Sequence, residues 1–210
     1  MEPLIVNDMN NEIALATGVL EALVVLLKTQ DTSRTAGVGN FIPQPNLRPY
    51  IKFALRCLTS AIRTEPAVSR FYMIEGSVQK ILEILEVVED QEIIANSCKI
   101  IRICLRDDSI YDRMVAQYPI LATLVIEKMA KWNSSLPIIQ ESSSALRNYV
   151  RKPEYAKLLR PDSVDVLIDL ARDPKFEKVR PVIGQALKMM SKVPEMDQRI
   201  RLRNGTDLLQ

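Results

Sequence analysis

The sequence predicts an all-α fold, a right-handed α-solenoid of about four three-helix repeats followed by the start of a fifth. Three observations carry that expectation. The composition is 47% apolar but only 5% aromatic, with 6 glycines in 210 residues, a balance that favours helices over sheets. A short core pattern recurs at spacings of 46, 45 and 41 residues. A second apolar pattern, opening on a turn-forming residue and continuing at helical spacing, recurs upstream of each copy.

The core pattern occupies Phe53–Thr59, Lys99–Leu105, Ser144–Val150 and Gln185–Ser191. Each copy has two apolar residues, a basic residue, a variable residue and another apolar residue, and the spacings are read at Ala54, Ile100, Ala145 and Ala186. A period in this range is that of helical-repeat solenoids, where each unit covers the apolar face of its neighbour. The upstream pattern occupies Gly18–Leu27, Gly76–Leu85, Tyr118–Glu127 and Asp162–Ala171. Those segments are expected to be second helices, and the core segments long third helices. Shorter amphipathic stretches, such as Val68–Glu75 and Glu154–Leu159, are expected to be first helices. The repeats then fall at about 3–65, 66–108, 109–153 and 154–193, with a partial one at 194–210, in a single domain.

Two stretches break the regularity. Residues 29–49 are rich in Gly, Pro, Asn, Thr and Gln and read as a flexible loop inserted in the first repeat. Pro194–Gln210 matches the opening of a further unit, with Asn204-Gly205 standing where Gly76 stands and Leu208 and Leu209 beginning a second helix. That end is expected to be covered by further repeats, a partner or self-association, because a solenoid end without a polar cap exposes apolar surface.

Val68–Gly76 with the helix after it, and Gln140–Val150, resemble the armadillo-repeat consensus, which has a glycine-containing turn between helices one and two and an Ala-Leu-x-Asn-Leu core on helix three. Asp173–Arg180 is similar to the Asp…Val-Arg signature of HEAT repeats. The resemblance covers nearly the whole chain. It implies an armadillo-like solenoid whose third helices stack side by side and line a concave groove.

With Ser144 as reference, Arg147, Asn148 and Arg151 fall within an arc of about 100° on the helical wheel, opposite Ala145, Leu146 and Tyr149. The equivalent sets are Phe53, Arg56, Cys57 and Ser60; Lys99, Arg102, Ile103 and Arg106; and Gln185, Lys188, Met189 and Lys192. Eight of these sixteen positions are basic and none is acidic, whereas helix propensity alone would mix in glutamate. The expected partner-binding set is therefore Arg56, Lys99, Arg102, Arg106, Arg147, Asn148, Arg151, Lys188, Met189 and Lys192. Importin-α-like grooves use a Trp-x-x-x-Asn arrangement, of which only Asn148 is present. β-catenin-like grooves use Lys and Arg for acidic extended partners, and this pattern is similar in chemistry. The expectation is a scaffold or adaptor binding an extended acidic protein segment; a nucleic-acid-binding solenoid is the alternative.

Other function classes are disfavoured by what the chain lacks. There is no histidine, which removes Ser-His and Cys-His pairs and the commonest transition-metal ligand. Gly37-Val38-Gly39 lacks the context of a phosphate loop. No enzymatic activity, cofactor, metal or small-molecule substrate is expected. The net charge of +2 and the apparent lack of exposed aromatics argue against nucleic acid. Cys57, Cys98 and Cys104 read as buried apolar residues, and their odd number suits a reducing intracellular compartment, the cytoplasm with the nucleus left open. No apolar run is long enough for membrane insertion. Glu83, Glu86, Glu89, Asp90 and Glu92 read as a solvated acidic face, and Trp132 as a core or edge filler.

Overall fold

The computed structural model describes residues 18–29 and 47–209, and among them every regular element is a helix. The chain divides into two compact units, with the boundary between Ile110 and Tyr111. The first holds α1 (Val19–Thr29), α2 (Arg48–Ala61), α3 (Glu65–Met73), α4 (Ser77–Val87) and α5 (Gln91–Arg106), and the boundary falls inside α6 (Asp108–Gln117).

In the first unit, chain chemistry sets the helix ends. Thr64 is extended and Pro66 sits in the first turn of α3, where its missing N–H costs nothing. Gly76 then takes a left-handed conformation, φ 69°, reversing the chain into α4. The hydroxyl of Ser77 donates to the carbonyl of Phe71 at 2.7 Å and closes this buried corner. Asp90 caps α5 by accepting from the N–H groups of Glu92 and Ile93, a device that typically contributes about 1 kcal/mol. Apolar residues at helical spacing then bring the helices together: α5 packs against α2 and α4, and α1 against α2, α3 and α4. Ile51, Leu55, Leu58, Phe71, Ile81, Ile84 and Ile94 lie in this core.

The second unit continues with α7 (Leu121–Lys131), α8 (Leu136–Tyr149), the single-turn α9 (Pro153–Ala156), α10 (Ser163–Arg172), a 3-10 turn at Pro174–Phe176, α11 (Arg180–Met190), α12 (Pro194–Leu202) and a 3-10 segment at Gly205–Leu209. Its long helix α8 packs against α7 and α11, and α10 against α11 and α12. Tyr111, Tyr149 and Phe176 are its largest fully buried side chains. The Tyr111 hydroxyl donates to the carbonyl of Tyr149 at 2.6 Å, satisfying an orphan acceptor at the end of α8.

The second-helix segments all form helices, shifted by one to three residues at their starts. The long third helices span 14, 16, 14 and 11 residues. The first helices differ more. The one expected at Val68–Glu75 begins earlier, at Glu65, and the one expected at Glu154–Leu159 is a single turn, Pro153–Ala156. Polar links join residues 34 to 49 apart in sequence: Arg70 to Glu21 (49 residues), Lys152 to Asp112 (40), Arg147 to Gln185 (38) and Arg203 to Asp169 (34).

Two expectations need correction here. The inserted loop at 29–49 is narrower at both ends, since Thr29 closes α1 and Arg48 and Pro49 belong to α2; its remaining residues lie outside the described ones, apart from Leu47. At the other end, Leu208 and Leu209 do not begin an α-helix. Asn204, not Gly205, takes the left-handed turn, φ 53°, and the chain closes as a 3-10 segment against α11. Leu208 backs onto Gly184 so closely that a Cβ there would stand 2.5 Å from the Leu208 carbonyl oxygen.

A charged ladder fastens α12 to α10. Arg199 and Arg203 both reach Asp165, Arg203 also reaches Asp169 at 2.6 Å, and Arg172 donates to the Asn204 carbonyl. The hydrogen bond from Arg199 holds the Asp165 carboxyl below its ordinary value. A depressed carboxylate contributes stability above its unfolded pKa, near 4, and loses it as pH falls through the folded value. Amide exchange in α12 is therefore expected to accelerate below about pH 4 relative to α11, and Asp165→Asn to remove that pH dependence. Equal protection of α12 at pH 6 and pH 3 in the unaltered chain would contradict it.

Candidate functional site

Each unit presents a candidate face of its own: the open sides of α2 and α5 in the first, and those of α8 and α11 in the second. In each, one side of the helix is consumed by the core, so the residues left over decide what can dock.

On α2, Tyr50 and Phe53 stand one turn apart and are 57% and 61% exposed. Sequence reasoning treated the chain as lacking exposed aromatics, and this pair corrects it. The signal was available in the wheel, which sets Phe53 at an open position; Tyr50 lies one turn before it on the same side. One turn further on, Arg56 is also exposed, but it is paired with Glu92 of α5. Lys52 likewise bridges to Asp90 at 2.9 Å and to Glu92 at 3.6 Å. Its ammonium pKa is raised, chiefly by the Asp90 hydrogen bond. Partial burial pushes the Asp90 carboxyl up, but Lys52 and the N–H groups of Ile93 and Glu92 outweigh it and hold the pKa below normal. Asp90 and Glu92 are thus more than a solvated acidic face. They cap α5 and neutralise the cations of α2.

On α5, Lys99 is half-buried and Arg106 exposed, and neither forms an ion pair among the described residues. Arg102 is half-buried, while Ile103 is only 8% exposed. The same inward tilt recurs at the equivalent positions Cys57 and Asn148, both at 8%. These residues were expected to face solvent. The open arc is instead centred nearer the reference position and the one three residues on.

On α8, Arg147 donates to Gln185 of α11 at 3.4 Å and to the Asn148 side chain at 3.1 Å. Arg151 lies with its guanidinium 3.7 Å from the ring centroid of Tyr111, a cation–π contact in which it serves the fold. Lys188 on α11 and Lys192, two residues past its end, are exposed without an ion pair among the described residues, and Met189 is half-buried between them. The expected basic set therefore divides. Lys99, Arg106, Lys188 and Lys192 present charge to solvent; Arg56, Arg102, Arg147 and Arg151 are engaged by neighbours.

No other arrangement among the described residues assembles chemistry. The three cysteines are buried and form no disulfide among the described residues. Burial and the nearby Asp107 push the Cys104 thiol up to about 12, which keeps it protonated at neutral pH. Groups of His, Cys, Asp and Glu able to hold a metal do not occur among the described residues, and no helix there is long and apolar enough to cross a membrane. A cavity of about 360 Å³ between α7 and α10 has Asp169 and Asp173 in its wall, but Arg203 and the Lys175 N–H already occupy these carboxylates. Trp132 caps α7, half-buried. The chain matches no family model and no curated protein.

Proposed function

We propose that the chain is an armadillo-like α-solenoid that works as a non-enzymatic protein-binding scaffold in the cytoplasm, holding an extended acidic segment of a partner protein on its long-helix faces. The observation that carries this is two pairs of cations with no ion-pair partner among the described residues, Lys99 and Arg106 on α5 and Lys188 on α11 with Lys192 just past its end, and no carboxylate at the equivalent face positions. Cations that no described residue engages can serve a ligand. The recurrence of long helices at repeat spacing, the left-handed turns at Gly18, Gly76 and Asn204, and polar links across 40 and 49 residues support the repeat architecture.

Nucleic acid is the second reading, favoured by the exposure of Tyr50 and Phe53, since aromatic platforms stack bases. The two differ in salt response and competitor. On parallel columns of an immobilised acidic peptide and a single-stranded oligonucleotide, the proposal predicts salt-reversible retention on the peptide and release by free acidic peptide. Retention on the oligonucleotide alone would replace it with the second reading.

A further inference from the structure

We propose that Tyr50 and Phe53 form an anchor site for one large apolar side chain of the bound segment, so that the ligand is an acidic stretch carrying an apolar residue and not an acidic stretch alone. This rests on the proposed peptide-binding role of the long-helix faces and specifies its ligand.

The argument begins with the surface of α2. Its two large exposed apolar side chains, Tyr50 and Phe53, are aromatic and stand one turn apart on the same side of the helix. The cations flanking that platform, Lys52 and Arg56, are engaged by Asp90 and Glu92. The first long helix therefore offers apolar surface framed by a neutralised ladder, whereas the next one offers charge. Both surfaces belong to one face. Glu92, Lys99 and Arg106 lie seven residues apart on a single line along α5, and Arg56, one turn beyond Phe53, reaches across to Glu92 on that line.

This juxtaposition selects a protein segment over a nucleic acid at the platform. A base stacked on Phe53 brings its phosphate within several ångströms, where the nearby cations Lys52 and Arg56 are already engaged by Asp90 and Glu92 and offer it little. A Phe, Leu or Trp side chain needs no such cation. Packed helices lie about 10 Å apart, and an extended chain advances about 3.3 Å per residue. The anchor residue should then lie about three positions from the acidic residue that meets Lys99.

The test uses the full chain and fluorescence polarisation with end-labelled twelve-residue Gly/Ser peptides. The series comprises peptides with aspartate at every third position and one Phe moved through the frame, the same frame without Phe, a neutral frame with Phe, and a twelve-nucleotide oligothymidylate. In the unaltered protein the best-placed Phe should tighten binding about tenfold over the Phe-free acidic peptide. Phe53→Ser should remove that preference while leaving the Phe-free affinity within about twofold, and Tyr50→Ser should reduce it. Lys99→Glu with Arg106→Glu should weaken both peptides and preserve their ratio. The anchor is overturned, with the groove reading intact, if Phe gives no advantage or if Phe53→Ser keeps it. Equal binding of the neutral Phe peptide overturns the acidic requirement. Failure of every acidic peptide to bind the unaltered protein overturns the groove reading itself, and oligothymidylate binding that depends on Phe53 assigns the platform to base stacking.

Discussion

Replacing Lys99 and Arg106 together by glutamate is expected to weaken binding of an extended acidic peptide at least about tenfold, with the thermal midpoint unchanged within about 2 °C. An exposed ion pair contributes on the order of 0.2 to 1 kcal/mol, so neutralising one cation changes little. Reversal replaces attraction by repulsion at each site, and two sites together reach the 1.4 kcal/mol that corresponds to tenfold. Neither side chain has an ion-pair partner among the described residues, so the free protein loses nothing specific. The effect should shrink as salt rises, because charges at this exposure are screened. Arg147 is a poorer choice, since its bonds to Gln185 and Asn148 would be broken as well. Titration calorimetry in low and moderate salt, beside a melting curve, reads both halves.

Phe71→Ala is expected to cost about 3 to 5 kcal/mol, a fall in melting temperature on the order of 10 °C. Phe71 is fully buried on α3, and its carbonyl receives the Ser77 hydroxyl at the corner that opens α4. Removing the ring leaves a cavity at the point where the left-handed turn at Gly76 is held. Phe53→Ala, by contrast, should stay within about 0.5 kcal/mol because the ring is already in solvent. Denaturant unfolding of both variants gives the comparison, and similar losses would contradict the assignment of one ring to the core and the other to the surface.

The helical class and the order of second and third helices were legible because apolar period and spacing are local signals that burial reinforces. Gly76 marked its turn for a reason visible in the sequence, since a left-handed residue between two amphipathic runs favours glycine. The short first helices were less legible. Proline sets where α3 and α9 begin, and the few apolar residues between such breaks fix neither length nor register. The basic character of the long helices could also be read, but not which cations stay available. Arg56, Arg147 and Arg151 are engaged by Glu92, Gln185 and Tyr111, residues 36, 38 and 40 positions away, and a wheel drawn on one helix holds no information about its neighbour. The same limit put Asn148, Cys57 and Ile103 in the open arc, although each is buried in the fold.

The most direct measurement is zero-length carbodiimide cross-linking of an acidic peptide to the full chain, with the joined lysines identified by mass spectrometry. Bonds form only where a carboxylate and an ammonium are already in contact. The proposal predicts links to Lys99, Lys188 and Lys192, reduced by salt and by unlabelled peptide. Links confined to Lys157, Lys175 and Lys178, which are equally exposed or more so but lie away from the long helices, would contradict it.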